Sequence, residues 1–428
     1  LALWINVLAK GHCGVSLETL QKNASSLSWV PEQGTVGASG DLAPLAHLAL
    51  GLMGEGRMWS PQTGWTDTTT VLEGHGLTPI SLKPKEGLSL INRTPMMSSL
   101  GAEAVKKAEV ITRQAVVIAA LTLETLKGTN KALDFESEKD VHAVRPHPGQ
   151  ILVAQRFRSL LHYLHQGEIT GTSTQKYNPI VFLYTITQVY SLWCCPQVYM
   201  HIDTIAFVKN ILNTELNSAT NNPLVFPQQG ITISADHFYG EYPAKALDIL
   251  AIGVHELVSI SERCIERLCN PSPSNLPTFL VEEGGLNSGF MVVHCTAAAL
   301  VSENKMLCHP ASVDSLSTSA ATEDHVSMGG CAARKALKVV EHLEQVLAIE
   351  LPAACQALEF HWPLKTTAPL EKVYDLLYSV VRPHVKGVMS CDIEAAHQLL
   401  LEEKVWKAVL PYMDKYKESD HHHLSSVS

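Results

Sequence analysis

Charge is scarce in this sequence, and the usual markers of a metal, a membrane or a nucleic acid are missing. Charged residues make up 17% of the 428, and the formal net charge is −10. Nothing in that balance attracts nucleic acid or an anionic membrane. No apolar run approaches the length needed to cross a bilayer, and Leu1–Ala9 has neither the charged leader nor the cleavage site of a signal peptide. The 10 cysteines are scattered; only Cys194 and Cys195 adjoin, and no CxxC or Cys/His zinc spacing occurs. Such usage fits a reducing cytosol, so the expectation is a cytoplasmic protein with no metal. Strand-like alternation is rare, and there is no internal repeat or low-complexity tract. Leu1 is not Met, and LALWINVLAKGHCG reads as the middle of a chain, so an N-terminally shortened product is expected.

What is present is core and helix. Hydrophobic residues make up 46%, enough at this length for one large domain or two to three ordinary ones. Ser16–Ser28 reads as a short amphipathic helix, Gly51–Asp67 as turn-rich and Thr69–Leu90 as an irregular connector. Met97–Lys127 then carries apolar residues at Leu100, Ala104, Ala108, Ile111, Ala115 and Ile118, a helical period ended by Gly128. Similar patterns cover Asp203–Asn217, Tyr242–Cys269, Phe290–Leu307, Ala332–Phe360 (kinked at Pro352) and Leu370–Val381. The reading is an all-α protein built on a long-helix bundle. Its divisions are a smaller N-terminal region (residues 1–91), the bundle (92–415) and a polar tail (416–428) with the frayed DHHH of Asp420–His423.

The stretch that organises the chain is Gly34–Gly56, GTVGASGDLAPLAHLALGLMGEG. Its glycines suggest a linker or a phosphate loop, but Leu42–Leu52 is an apolar, helix-competent run with Asp41 as its N-cap. Ala38-Ser39-Gly40 then sits at a helix N-terminus, where free N–H groups favour developing negative charge. If the backbone is compressed, the Gly40 nitrogen can attack the Ala38 carbonyl carbon, because glycine has no Cβ in the way. Loss of water from the new ring and from Ser39 leaves a methylidene-imidazolone, an electrophile made from the chain itself. Taken alone, Ala-Ser-Gly is a common tripeptide and reads as a small-residue turn.

Further polar residues lie where a plain bundle needs none. Glu323-Asp324-His325, in VDSLSTSAATEDHVSM, reads as a metal site, a capping arrangement, a structural network or an acid/base. With GTVGASGDLAPL, with SLINRT around Asn92 and with DHFYGEYPAKALD around Phe238, this block resembles the aromatic amino-acid ammonia-lyases. The likeness runs from about Ile5 to Lys417 and is closest to the animal, histidine-type members. It implies the fold of the fumarase/aspartase-like lyases, with a small domain carrying the electrophile before the bundle, and a homotetramer with shared active sites. It implies a self-formed methylidene-imidazolone from Ala38, Ser39 and Gly40, with no external cofactor. It gives Asn92 to the support of the electrophile and Phe238 to the pocket wall. Glu323 goes to the substrate ring, where a carboxylate in place of an amide favours imidazole, and Tyr190 to proton transfer.

The likeness fails in two places. Within Gly167–His201, Trp193 stands where the family has the Arg that pairs with the substrate carboxylate, and Thr187 where it has Gln. An indole offers one N–H and no charge, which costs about 1.5–3 kcal/mol of binding. The family's base Tyr lies well upstream of the Ala-Ser-Gly motif, and no Tyr occurs before Ala38; His12 falls in the wrong block. The expected function is conversion of L-histidine to trans-urocanate and ammonia. The rival is a catalytically impaired chain that keeps only the tetramer scaffold, and a lyase for phenylalanine or tyrosine is a third option that Glu323 opposes.

Overall fold

Helices dominate the computed structural model, which describes residues 26–127, 144–161, 199–220, 222–382 and 389–425. In chain order those longer than four residues are Leu42–Leu52 (α1), Thr68–Gly74 (α2), Glu86–Ile91 (α3), Pro95–Thr125 (α4), Pro148–Leu161 (α5), Tyr199–Leu216 (α6), Glu241–Cys269 (α7), Met291–Leu307 (α8), Gly329–Glu359 (α9), Ala368–Tyr378 (α10), Met389–Leu401 (α11) and Lys404–Ser425 (α12). Strands among the described residues are few. Leu27–Ser28 (β1), Arg57–Ser60 (β2) and Gly64–Asp67 (β3) form a small sheet in that order, and Leu224–Phe226 (β4) pairs with Ile231–Ile233 (β5). All of this pairing is antiparallel. The architecture is the expected all-α one with small β additions.

The long helices begin and end within a few residues of where periodicity puts them. Pro95 opens α4 at a position where a missing N–H costs nothing. Ala104, Ala108, Ile111, Ala115 and Ile118 are buried as their spacing predicts, whereas Leu100 stays partly exposed. α9 runs unbroken through Pro352. Four readings need correction. The described end of the Ser16–Ser28 stretch is strand β1, with Leu27 opposite Trp59. Gly51–Asp67 contains the β2–β3 hairpin. The supposed connector holds helices α2 and α3, and the Asp420–His423 backbone belongs to the last turns of α12.

The chain divides into two compact units. The first takes the described residues of Leu1–Lys106, Ala206–Ile252 and Leu307–Lys338. In it, Leu45, Leu48, Ala49 and Leu52 of α1 pack on Leu90 of α3, with Ile80 and Leu82 at the margin, and Met58 of β2 packs on Val71 and Leu72 of α2. The second takes those of Lys107–Ile205, Gly253–Met306 and Val339–Ser428; there α12 packs against α10, α5 and α11. No helix among the described residues is long and apolar enough to cross a membrane. Nor do they hold a group of three or more His, Cys, Asp or Glu side chains suited to a metal.

The second unit buries a carboxyl with a consequence for stability. Glu350 is 2% exposed and accepts hydrogen bonds from Thr122 Oγ1 at 2.8 Å and Ser261 Oγ at 2.5 Å. Burial pushes it up to about 7 from an ordinary 4.5, against the pull of those hydroxyls. Because the folded value is the raised one, Glu350's contribution is complete below pH 4.5 and is lost as pH rises through about 7. The difference corresponds to about 3 kcal/mol. Glu350→Gln is expected to flatten the fall in urea-denaturation stability between about pH 5 and about pH 8. A variant with the parent's pH slope would refute this.

Candidate active site

The first unit curls Ala38-Ser39-Gly40 into a turn that leads straight into α1. Gly37 and Gly40 flank and close it with φ of +71° and +83°, values that an L side chain resists. A Cβ on Gly40 would lie 2.3 Å from the Arg93 carbonyl oxygen and 2.6 Å from its nitrogen. The backbone approach thus requires glycine, and the Asp41 N–H completes it by donating to the same Arg93 oxygen at 2.6 Å. Thr35 spans the turn from one side. Its hydroxyl accepts from the Gly37 N–H at 3.0 Å and donates to the Gly40 carbonyl at 3.4 Å.

Three of the residues singled out in the sequence meet at Ser39. Asn92 Nδ2 donates to the Ser39 carbonyl oxygen at 2.8 Å, and the Ser39 hydroxyl donates to Glu323 Oε1. The segment after Glu323 lies along the same turn: Met328 N–H donates to the Val36 carbonyl at 2.9 Å, and Ser327 Oγ to that of Gly37 at 3.3 Å. Glu323 itself closes a tight loop, exchanging backbone hydrogen bonds with Thr318. Between them, Ser319, Ala320 and Ala321 all have positive φ, 57°, 55° and 66°. A left-handed residue other than glycine costs about 1–2 kcal/mol, so three in succession mark a geometry that the surroundings impose.

Asp41 occupies the expected N-cap position of α1, but its side chain does not cap that helix. Its carboxylate accepts instead from the Met97 N–H at 3.0 Å, in the first turn of α4, and so satisfies an otherwise orphan donor there. Asp41 is fully buried. Burial pushes its carboxyl up to about 6, while hydrogen bonds from the Met97 and Met96 amides pull it back and the charge of Glu215 adds to the rise. Glu215 is itself bonded by Thr94 Oγ1 at 2.5 Å.

Phe238 is 8% exposed, on the turn between β5 and α7. Its neighbour Tyr239 bonds His325 Nδ1 through the phenol oxygen, which ties that turn to the loop bearing Glu323. Burial and the carboxylates of Glu241 and Asp324 push the Tyr239 phenol up to about 12. Tyr190, Thr187 and Trp193 lie outside the described residues. Sequence reasoning missed Thr35, the true partner of Asp41, and Asn222, whose N–H donates to Asn92 Oδ1 at 3.1 Å. A backbone donor leaves no mark of its own in a sequence.

A family model described as aromatic amino acid lyase matches residues 1–379. Human histidine ammonia-lyase is 67% identical over 424 residues, covering 97% of this chain; the chain in turn spans 63% of the human protein's length. Among solved structures, histidine ammonia-lyase from Trypanosoma cruzi superimposes with a TM-score of 0.84 at 53% identity, over 96% of this chain and 77% of that one. Tyrosine aminomutase from Streptomyces globisporus does so with a TM-score of 0.83 at 31% identity, over 96% and 80%. The span matched by the family model contains the glycine-bound turn, Asn92 and the Glu323 loop, and the chain belongs to the aromatic amino acid lyase family.

Proposed function

We propose that this chain removes ammonia from L-histidine to give trans-urocanate, using a methylidene-imidazolone formed from Ala38, Ser39 and Gly40. The observation that carries this reading is the bond from the Ser39 hydroxyl to Glu323, which supports it because the hydroxyl to be lost in dehydration and the carboxylate assigned to the substrate ring are then neighbours. The turn fits the group: only glycine is tolerated at 40, and Thr35 holds the turn curled. When formed, the group supplies the electrophile that proteins otherwise borrow.

The chain's own residues do the rest. Asn92 Nδ2 polarises the Ser39 carbonyl, as a donor aimed at an oxygen where charge develops. Dehydration removes the Ser39 hydroxyl, and the Glu323 oxygen that accepted from it is then available to an imidazole N–H. Phe238 lines the pocket, and Tyr190 is assigned to proton movement at the substrate's β-carbon. The described cysteines are free, which suits the cytoplasm. Membership of the family extends the reading to a homotetramer with shared sites.

The test is urocanate formation from L-histidine, followed by ultraviolet absorbance, with Ser39→Ala as control. Turnover by the parent and its loss in the variant are expected. A folded parent chain that makes no urocanate would overturn the reading and leave a scaffold.

A further inference from the structure

The Asn92 amide has two ends alike in shape and opposite in chemistry, and only one orientation serves the site. Nδ2 must face the Ser39 carbonyl, where it stands at 2.8 Å. The selection comes from the other end, where Oδ1 accepts the Asn222 N–H at 3.1 Å. A flipped amide would set N–H against N–H and oxygen against oxygen. Asn222 is in turn held on several sides. Its Oδ1 accepts from the Ala235 N–H at 2.9 Å and from Ser234 Oγ at 3.0 Å, and its carbonyl accepts from Lys85 Nζ at 2.7 Å. Lys85, at φ +77°, immediately precedes α3, the helix whose C-cap is Asn92.

We propose that Asn222 is a positioning residue: its clasp on Ser234 and Ala235 fixes the backbone N–H that orients Asn92 on the Ser39 carbonyl. The proposal rests on the reading that residues 38–40 mature into the electrophile, because only then does the direction of that amide set a rate. The same clasp anchors the chain three residues before Phe238, so one residue sets both the donor to the electrophile and the start of the pocket turn.

Asn222→Ala removes the clasping oxygen, and Asn222→Asp keeps one. In the alanine variant kcat for urocanate is expected to fall about tenfold, the worth of one hydrogen bond. KM for histidine should stay within about twofold, since Asn222 contributes no uniform substrate binding. The aspartate variant is expected to recover kcat to within about threefold of the parent. Crystal structures supply a readout that needs no turnover: Asn92 Nδ2 leaves the Ser39 carbonyl in the alanine variant and stays in the aspartate variant. Asn92 unmoved in both, or displaced in both, overturns the proposal; so does an unchanged kcat in the alanine variant of an active parent. If the parent makes no urocanate, the function above fails while the crystal structures still decide this placement. If the alanine variant does not fold, the pair Lys85→Met and Ser234→Ala loosens Asn222 from its exposed side. Partial displacement of Asn92 and a kcat about threefold lower are then expected; no change in either overturns the proposal.

Discussion

A Gly40→Ala chain is expected to lose both the mature ring and the native turn. The new Cβ would meet backbone, not a side chain that can swing away: the Arg93 carbonyl oxygen at 2.3 Å, nitrogen at 2.6 Å and carbon at 2.8 Å. Alanine at φ +83° adds about 1–2 kcal/mol, and the overlap about 1–3 kcal/mol more. Gly56 supplies the comparison. It has φ +80°, but a Cβ there meets nothing within 4 Å, so Gly56→Ala carries the backbone cost alone. Thermal unfolding and intact mass separate the two. Gly56→Ala should melt slightly early and keep the mass loss of ring closure and dehydration; Gly40→Ala should melt much earlier and show no mass loss. Equal melting of the two variants, with the dehydrated mass in both, would sink the steric account.

Glu323→Gln should lower kcat/KM for histidine by about 10- to 150-fold, the worth of a hydrogen bond to a charged acceptor, about 1.5–3 kcal/mol. Glutamine keeps an oxygen that accepts the Ser39 hydroxyl, so ring formation, read by mass, is expected to survive. Phenylalanine gives the discriminating arm. Its ring has no N–H to lose, and a carboxylate beside it is a desolvation burden that the amide lightens. The preference for histidine over phenylalanine is therefore expected to shrink by at least about tenfold. Equal losses on both substrates would show that Glu323 supports the turn without reading the ring.

Much of this site is legible in the sequence because its chemistry depends on residue identity. Ala38-Ser39-Gly40, Asn92 and Glu323 stand out only through the longer blocks that resemble the family, because each alone reads as an ordinary turn or polar network. The structure joins them across 53 and 284 positions of sequence separation, which no local pattern reveals. The long helices are legible because α4 repeats its buried face over many turns, whereas α2 and α3 are too short to show a period. β1 has two residues and exists only because Arg57–Ser60 lies beside it. α11 and α12 were missed, the second because its charged composition resembles a solvated tail. Asp41 is instructive because its position is as expected and its side-chain partner is not. Its type and position fit an N-cap for α1, but a buried carboxylate goes to whichever orphan amide tertiary packing brings near, and here that is Met97 of another helix.

That one contact makes the turn and the helix a single opening unit. Asp41 is covalently next to Gly40, and its carboxylate holds the first turn of the 31-residue α4 through the Met97 amide. Fraying of that turn releases the carboxylate, and displacement of the tripeptide strips the helix of its cap. In amide hydrogen exchange, Met97 therefore reports on the order of the Ala38–Gly40 turn, although it lies on another element of the fold.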